Sequence, residues 1–162
     1  MNPIRKILVP VDYSPHAHEA IRAAAELSSR YDAAVTIAHV FELLTGIEAQ
    51  IAYSLPEGYM LFTPKQIDDL TREYRRLLEE AKREAEAAGA RKVDAKQLQG
   101  VPAVAILELA KAGGYDLIVM GTRGRRGIGR VMLGSVAERV LREAPCPVLT
   151  VRAPERTKPE QR

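Results

Sequence analysis

Leu117-Ile118-Val119-Met120 is an unbroken apolar run that opens after Asp116 and stops at Gly121. A strand with one wet face alternates apolar and polar residues, whereas a run apolar at every position marks a strand covered on both faces. Ile7-Leu8-Val9-Pro10-Val11 carries the same signature near the other end of the chain. Such strands belong to parallel sheets, and parallel neighbours need a crossover long enough to hold a helix.

The intervening segments supply those helices. Asp12-Tyr13-Ser14-Pro15 halts the first strand, with Ser14 as N-cap and Pro15 at the first helical position. Ala17, Ile21, Ala24 and Leu27 then recur at helical spacing, and Ala34–Val40 reads as a second strand. Residues 41–62 show no period and form a long connection, a kind that is often functional in compact domains. Thr63-Pro64-Lys65-Gln66 is a capping box for a helix whose stripe Ile67, Leu70, Tyr74, Leu77, Ala81, Ala85 and Ala88 is expected in the core. Gly89 ends that helix. A weaker strand over Lys92–Gln99 follows, then a helix over Pro102–Ala112 stopped by Gly113-Gly114. Ser135-Val136-Ala137-Glu138 is read as a second capping box with Ser135 as its cap, and Pro147–Arg152 as the last strand.

The order β-α-β-α-β-α-β-α-β predicts one α/β domain over residues 1–152, with helices on both faces of a parallel sheet, followed by a mobile polar tail, 153–162. Open sheets of this class bind ligands beyond the carboxyl ends of their strands, where the strand order reverses. Asp12, Val40 and the segment from Gly121 are therefore the places to look. Cys146 is the lone cysteine, so no intrachain disulfide exists. No apolar run approaches the roughly 20 residues of a membrane span, and the first residues carry no signal-peptide pattern; the expected compartment is the cytoplasm.

The net charge of +3 is unevenly placed. Residues 121–135 hold four arginines and no acid, and the tail 152–162 holds four basic residues against two acidic ones. The remainder of the chain is mildly acidic, which argues against a general nucleic-acid coat. Five of the eleven glycines, Gly121, Gly124, Gly127, Gly129 and Gly134, crowd into the same loop. Glycine lowers folded stability, so a cluster between a buried strand and a helix start points to close backbone approach. A helix N-terminus presents unpaired N–H groups and about half a positive charge, which suits phosphate. No glycine is followed by lysine, so this is not a Walker loop, and the spacing is not the dinucleotide fingerprint.

Gly121-Thr122-Arg123-Gly124, nine further residues, and Gly134-Ser135 match the G-x-x-G-x9-G-[ST] pattern of ATP-binding universal stress proteins. Lys6–Asp12, His39-Val40, Asp116–Met120 and Cys146–Val151 also resemble that family, so the likeness covers roughly residues 3–152. It implies a Rossmann-like, adenine nucleotide alpha hydrolase-like three-layer sandwich with a five-stranded parallel sheet of order 3-2-1-4-5. It implies that Pro10, Val11, Asp12 and Val40 surround adenine and ribose. Gly121, Arg123, Gly124, Gly134, Ser135 and Val136 would line the ribose and phosphate path, and Met120 would be a further nucleotide-binding residue. It implies ATP with Mg²⁺ or Mn²⁺ held on the phosphates, and a homodimer through the last strand, Pro147–Arg152. The other branch of the family lacks the glycine pattern and does not hold ATP.

Among single residues, Asp12 is weighed as an adenine or ribose contact, or an indirect partner of the metal, against a turn former, and Ser135 as a helix cap, a phosphate ligand or both. Arg123 and Arg130 are expected at phosphate, with Arg125 and Arg126 solvated. His16 and His18 are two apart on a helix and face different ways, so they do not pair on a metal; His39 and Cys146 read as packing residues. A stress-response nucleotide sensor is favoured over a slow ATPase, because no general base is aimed at a γ-phosphate and no catalytic residue is assigned. Related ATP pyrophosphatases carry a glycine-rich loop after the first strand, where this chain has Val11-Asp12-Tyr13-Ser14-Pro15. RNA binding is disfavoured because the arginine-rich loop holds no aromatic residue to stack on bases.

Overall fold

Strands and helices alternate throughout the residues that the computed structural model describes, 3–41, 64–122 and 133–154. The elements are β1 (Lys6–Pro10), α1 (Pro15–Tyr31), β2 (Ala34–Phe41), α2 (Pro64–Ala87), β3 (Val93–Gln99), α3 (Pro102–Gly113), β4 (Leu117–Gly121), α4 (Ser135–Glu143) and β5 (Val148–Val151). The five strands form one sheet of order β3-β2-β1-β4-β5, and every pairing is parallel. Ile7 is in register with Val35 on one side and Leu117 on the other, which places β1 at the centre.

Alternate side chains feed two cores. Ile7, Val9, Val35, Ile37 and Val119 face α1 and the second half of α2. Leu8, Ala38, Ile118 and Met120 face α3 and α4. The fully apolar runs of β1 and β4 exist because both of their faces are covered. β3 and β5 lie at the edges, where β3 is half polar and Leu149 of β5 is 39% exposed.

Ser14 caps α1 as expected, its hydroxyl accepting from the Ala17 amide at 3.3 Å, with Pro15 opening the helix. Other expectations shift. β1 stops at Pro10 rather than Val11, although Val11 still donates its N–H to the Ala38 carbonyl at 2.8 Å. The α2 stripe is core only in part: Ala81 and Ala85 are buried, Ile67, Tyr74 and Leu77 are half-buried, and Leu70 at 37% and Ala88 are exposed, while Leu78, outside the stripe, is buried. Ala88 lies past the last residue of α2, and length explains Leu70. The 24 residues of α2 extend about 36 Å, against about 23 Å for the seven of β3, so the first turns of the helix overrun the sheet.

Ser135 is not the cap of α4. Gly134 holds that place and Ser135 is the first helical residue. The Gly134 N–H donates to the Thr122 carbonyl at 2.9 Å, and its own carbonyl receives the Glu138 N–H at 2.9 Å. That long-range tie sets the helix start one residue earlier than the capping-box pattern does. Thr63, residues 42–62 and 155–162 lie outside the described residues.

Candidate functional site

A cleft of about 1050 Å³ opens over the carboxyl ends of β1, β2 and β4. It sits at the switch point of the sheet, since the chain leaves β1 toward β2 but later reaches β4 on the opposite side. β1 and its exit contribute Pro10, Val11 and Asp12; β2 contributes Val40; β4 contributes Met120 and Gly121. Gly134, Ser135 and Val136 come from the start of α4. The sequence candidates that fall within the described residues thus line one cavity. Arg123 and Gly124 lie outside the described residues, as do Arg125, Arg126, Gly127, Gly129 and Arg130.

Close approach explains Gly121. A Cβ built there would stand 2.8 Å from His16 Cβ and 3.0 Å from the His16 carbonyl carbon. The first turn of α1 lies directly over the end of β4. Gly134 differs, because its φ of −66° is open to any residue. Gly134 lines the cleft and, as cap, brings no side-chain hydrogen bond to the start of α4.

Asp12 builds its own turn. Its Oδ1 accepts the Ser14 N–H at 3.1 Å, and between them Tyr13 adopts a left-handed φ of 61°. The carboxylate is half-buried and lines the cleft, so the turn-forming role and a ligand-facing position coexist. Tyr13 packs on His39, and burial, then the Tyr74 hydroxyl, raise its phenol above the ordinary range. His39 is 7% exposed, and its Nδ1 lies 2.9 Å from the Val11 carbonyl. A carbonyl can only accept, so Nδ1 carries the proton and donates.

Two helix starts meet at the cleft without side-chain caps, those of α3 at Val101 and α4 at Gly134. Arg139, one turn beyond Ser135, also lines it, and its Nε lies 3.3 Å from the Glu143 carboxylate. Against these, Asp12 is the one carboxylate among the described lining residues. The balance favours an anion. Among the described residues, no cluster of three or more His, Cys, Asp or Glu could hold a metal ion by itself. His18 pairs with Glu84 at 2.6 Å, and His16 Nδ1 accepts the Ala153 N–H at 2.8 Å. Neither histidine is placed as part of a metal pair.

Sequence reasoning missed several lining groups. Phe41, Tyr74, Arg139 and the Val101–Ala103 start of α3 reach the cleft from elements far apart along the chain. Thr122 was also passed over. Its N–H donates to the Val151 carbonyl at 2.9 Å, its carbonyl receives Gly134, and its buried Oγ1 has no hydrogen-bond partner among the described residues. Its place inside the G-x-x-G pattern was the available signal.

Fold and cleft together define a doubly wound α/β protein with an anion-favouring site at its switch point. The universal stress protein family profile matches residues 3–152. Universal stress protein MJ0531 of Methanocaldococcus jannaschii is 37% identical over 158 residues, covering 96% of this chain and 86% of its own. The solved structure of hypothetical protein MJ0577 superposes with a TM-score of 0.75 at 29% identity, covering 93% of this chain and 97% of its own. A universal stress protein solved in complex with cAMP has a TM-score of 0.68 at 25% identity, covering 94% of this chain and 100% of its own. The chain belongs to the universal stress protein family. No described helix is long and apolar enough to cross a membrane.

Proposed function

We propose that this protein is an ATP-binding universal stress protein, a nucleotide-dependent sensor or regulatory module of the stress response. One observation carries the reading: the bare N-terminus of α4 opens onto the switch-point cleft, with Gly134 as cap and the exposed Ser135 just inside. Unpaired amides at a helix start bind phosphate oxygens, and a hydroxyl at the first helical position can add a bond without uncapping the helix. The phosphates run past Gly121 toward Gly134, Ser135 and Val136, with Arg123 and Gly124 continuing the path. Adenine and ribose lie among Pro10, Val11, Asp12, Val40 and Met120. The cAMP complex of a relative supports an adenine nucleotide as the ligand class.

Mg²⁺ or Mn²⁺ rides on the phosphates rather than on a protein cage, in keeping with a single carboxylate among the described lining residues. The protein acts as a homodimer through β5, an open edge beside the exposed Leu141 and Leu149. Equilibrium binding of a fluorescent ATP analogue tests the reading, with Gly134→Val as the comparison. The valine shields the helix entrance and weakens binding at least tenfold. Equal affinity of the two proteins sinks it.

A further inference from the structure

Phe41 and Tyr74 belong to neither hydrophobic core. Both rings line the cleft together with His39, and they form a contiguous set. His39 and Tyr74 stack with centroids 4.8 Å apart at 24°, and Phe41 meets Tyr74 edge-on at 5.2 Å and 62°. Tyr13 backs His39 at 4.7 Å. The chain has only six tyrosines, two phenylalanines and no tryptophan, so this gathering draws heavily on a small supply.

The set is held in place by more than ring contact. His39 donates from Nδ1 to the Val11 carbonyl at 2.9 Å, and the Tyr13 hydroxyl donates to the Tyr74 carbonyl at 3.4 Å. Tyr13 accepts a left-handed backbone to reach this position, held by the Asp12 turn. Tyr74 arrives from the part of α2 before its buried residues begin, so the sheet core does not require its ring. Flat, polarisable surfaces lining a cleft that Val11 and Val40 also line suit a planar aromatic ligand.

We propose that Tyr74 and Phe41, backed by His39, form a stacking wall for the purine base, making the cleft selective for base-bearing nucleotides over bare polyphosphate. The proposal rests on the nucleotide reading above and assigns it residues outside the glycine motif. Tyr74 supplies the principal face and Phe41 the flank, while His39 is locked behind them by its bond to Val11. The phosphate subsite at α4 contributes independently of the wall.

The test is calorimetric titration of ATP and of inorganic tripolyphosphate into the unaltered protein, Tyr74→Leu and Phe41→Leu, together with proton NMR of the adenine ring. Tyr74→Leu is expected to weaken ATP binding about tenfold, the order that one stacked base contributes, and Phe41→Leu less. Tripolyphosphate affinity stays unchanged in both variants. The adenine protons shift upfield on binding the unaltered protein, a reading that does not depend on either variant folding. Unshifted adenine protons, undiminished ATP affinity in both variants, or equal weakening of ATP and tripolyphosphate each overturn the wall. If the unaltered protein binds tripolyphosphate and ATP equally, the wall fails and the phosphate subsite stands. If it binds neither, the nucleotide reading itself falls and takes the wall with it.

Discussion

Replacing Gly121 by alanine sets a methyl group against the first turn of α1. The new carbon would lie 2.8 Å from His16 Cβ, 3.0 Å from the His16 carbonyl carbon and 3.2 Å from the Ala17 nitrogen. Carbon atoms rest at about 3.5–4.0 Å, so the crowding amounts to more than half an ångström. Two of the three atoms are backbone, so no rotamer change relieves the contact. His16→Ala does not rescue it either, because the Cβ remains. Overpacking of this kind costs about 1–3 kcal/mol. Alanine also restricts the unfolded chain, which returns about 0.4–1 kcal/mol. At the middle of both ranges crowding outweighs that return, leaving a net loss of roughly 1–2 kcal/mol. For a chain of 162 residues each kcal/mol moves the melting temperature by about 2–4 °C, so Gly121→Ala should melt roughly 2–8 °C lower. Thermal unfolding followed by far-ultraviolet circular dichroism reads this directly. An unchanged or raised melting temperature would mean that α1 does not crowd the end of β4, and the glycine would need another explanation.

Ser14 and Ser135 should separate stability from binding. Ser14→Ala removes a buried cap and costs about 1 kcal/mol by urea unfolding, while Ser135→Ala stays within about 0.5 kcal/mol. Ser135→Ala instead weakens ATP binding about fivefold, the value of one hydrogen bond near 1 kcal/mol, and the opposite pattern would restore Ser135 as a cap. Leu149→Lys places a charge on the exposed β5 edge and should convert a dimer to a monomer in sedimentation equilibrium; an unchanged mass would move the interface elsewhere. Burial, then the Asp116 charge, push the Cys146 thiol up. Iodoacetamide should therefore label it more slowly in the folded protein than in urea at mildly alkaline pH, and equal rates would contradict that shielding. The unfolded chain ionises this thiol first, so its contribution to stability is present below the ordinary thiol range and fades as pH rises through it.

Much of the fold could be read because its signals are local. Ser14-Pro15 marks a helix start within two residues, and the apolar runs of β1 and β4 report burial on both faces. The errors arose where a distant partner decides. Ser135-x-x-Glu138 satisfies the capping pattern, but the Thr122 carbonyl takes the Gly134 amide and moves the start back by one residue. The α2 stripe correctly reports amphipathicity, yet periodicity cannot say where the neighbouring sheet ends, so Leu70 was misplaced. The candidate site divides in the same way. Its glycine side announces itself through residue type and spacing. Its aromatic side is assembled from Tyr13, His39, Phe41 and Tyr74, which come together only through tertiary packing.

The two main-chain bonds of Thr122 bind the mouth of the cleft to the rim of the sheet, since one reaches the cap of α4 and the other the last residue of β5. A single threonine is thus the rivet between the place where a small molecule would arrive and the border where a second protein would dock. Any tilt of α4 must either drag that border or shear a bond of 2.9 Å. A ligand in the cleft would therefore reach a neighbour docked at that border without a long relay, and amide hydrogen exchange at Thr122 is the gauge on which that strain would be read.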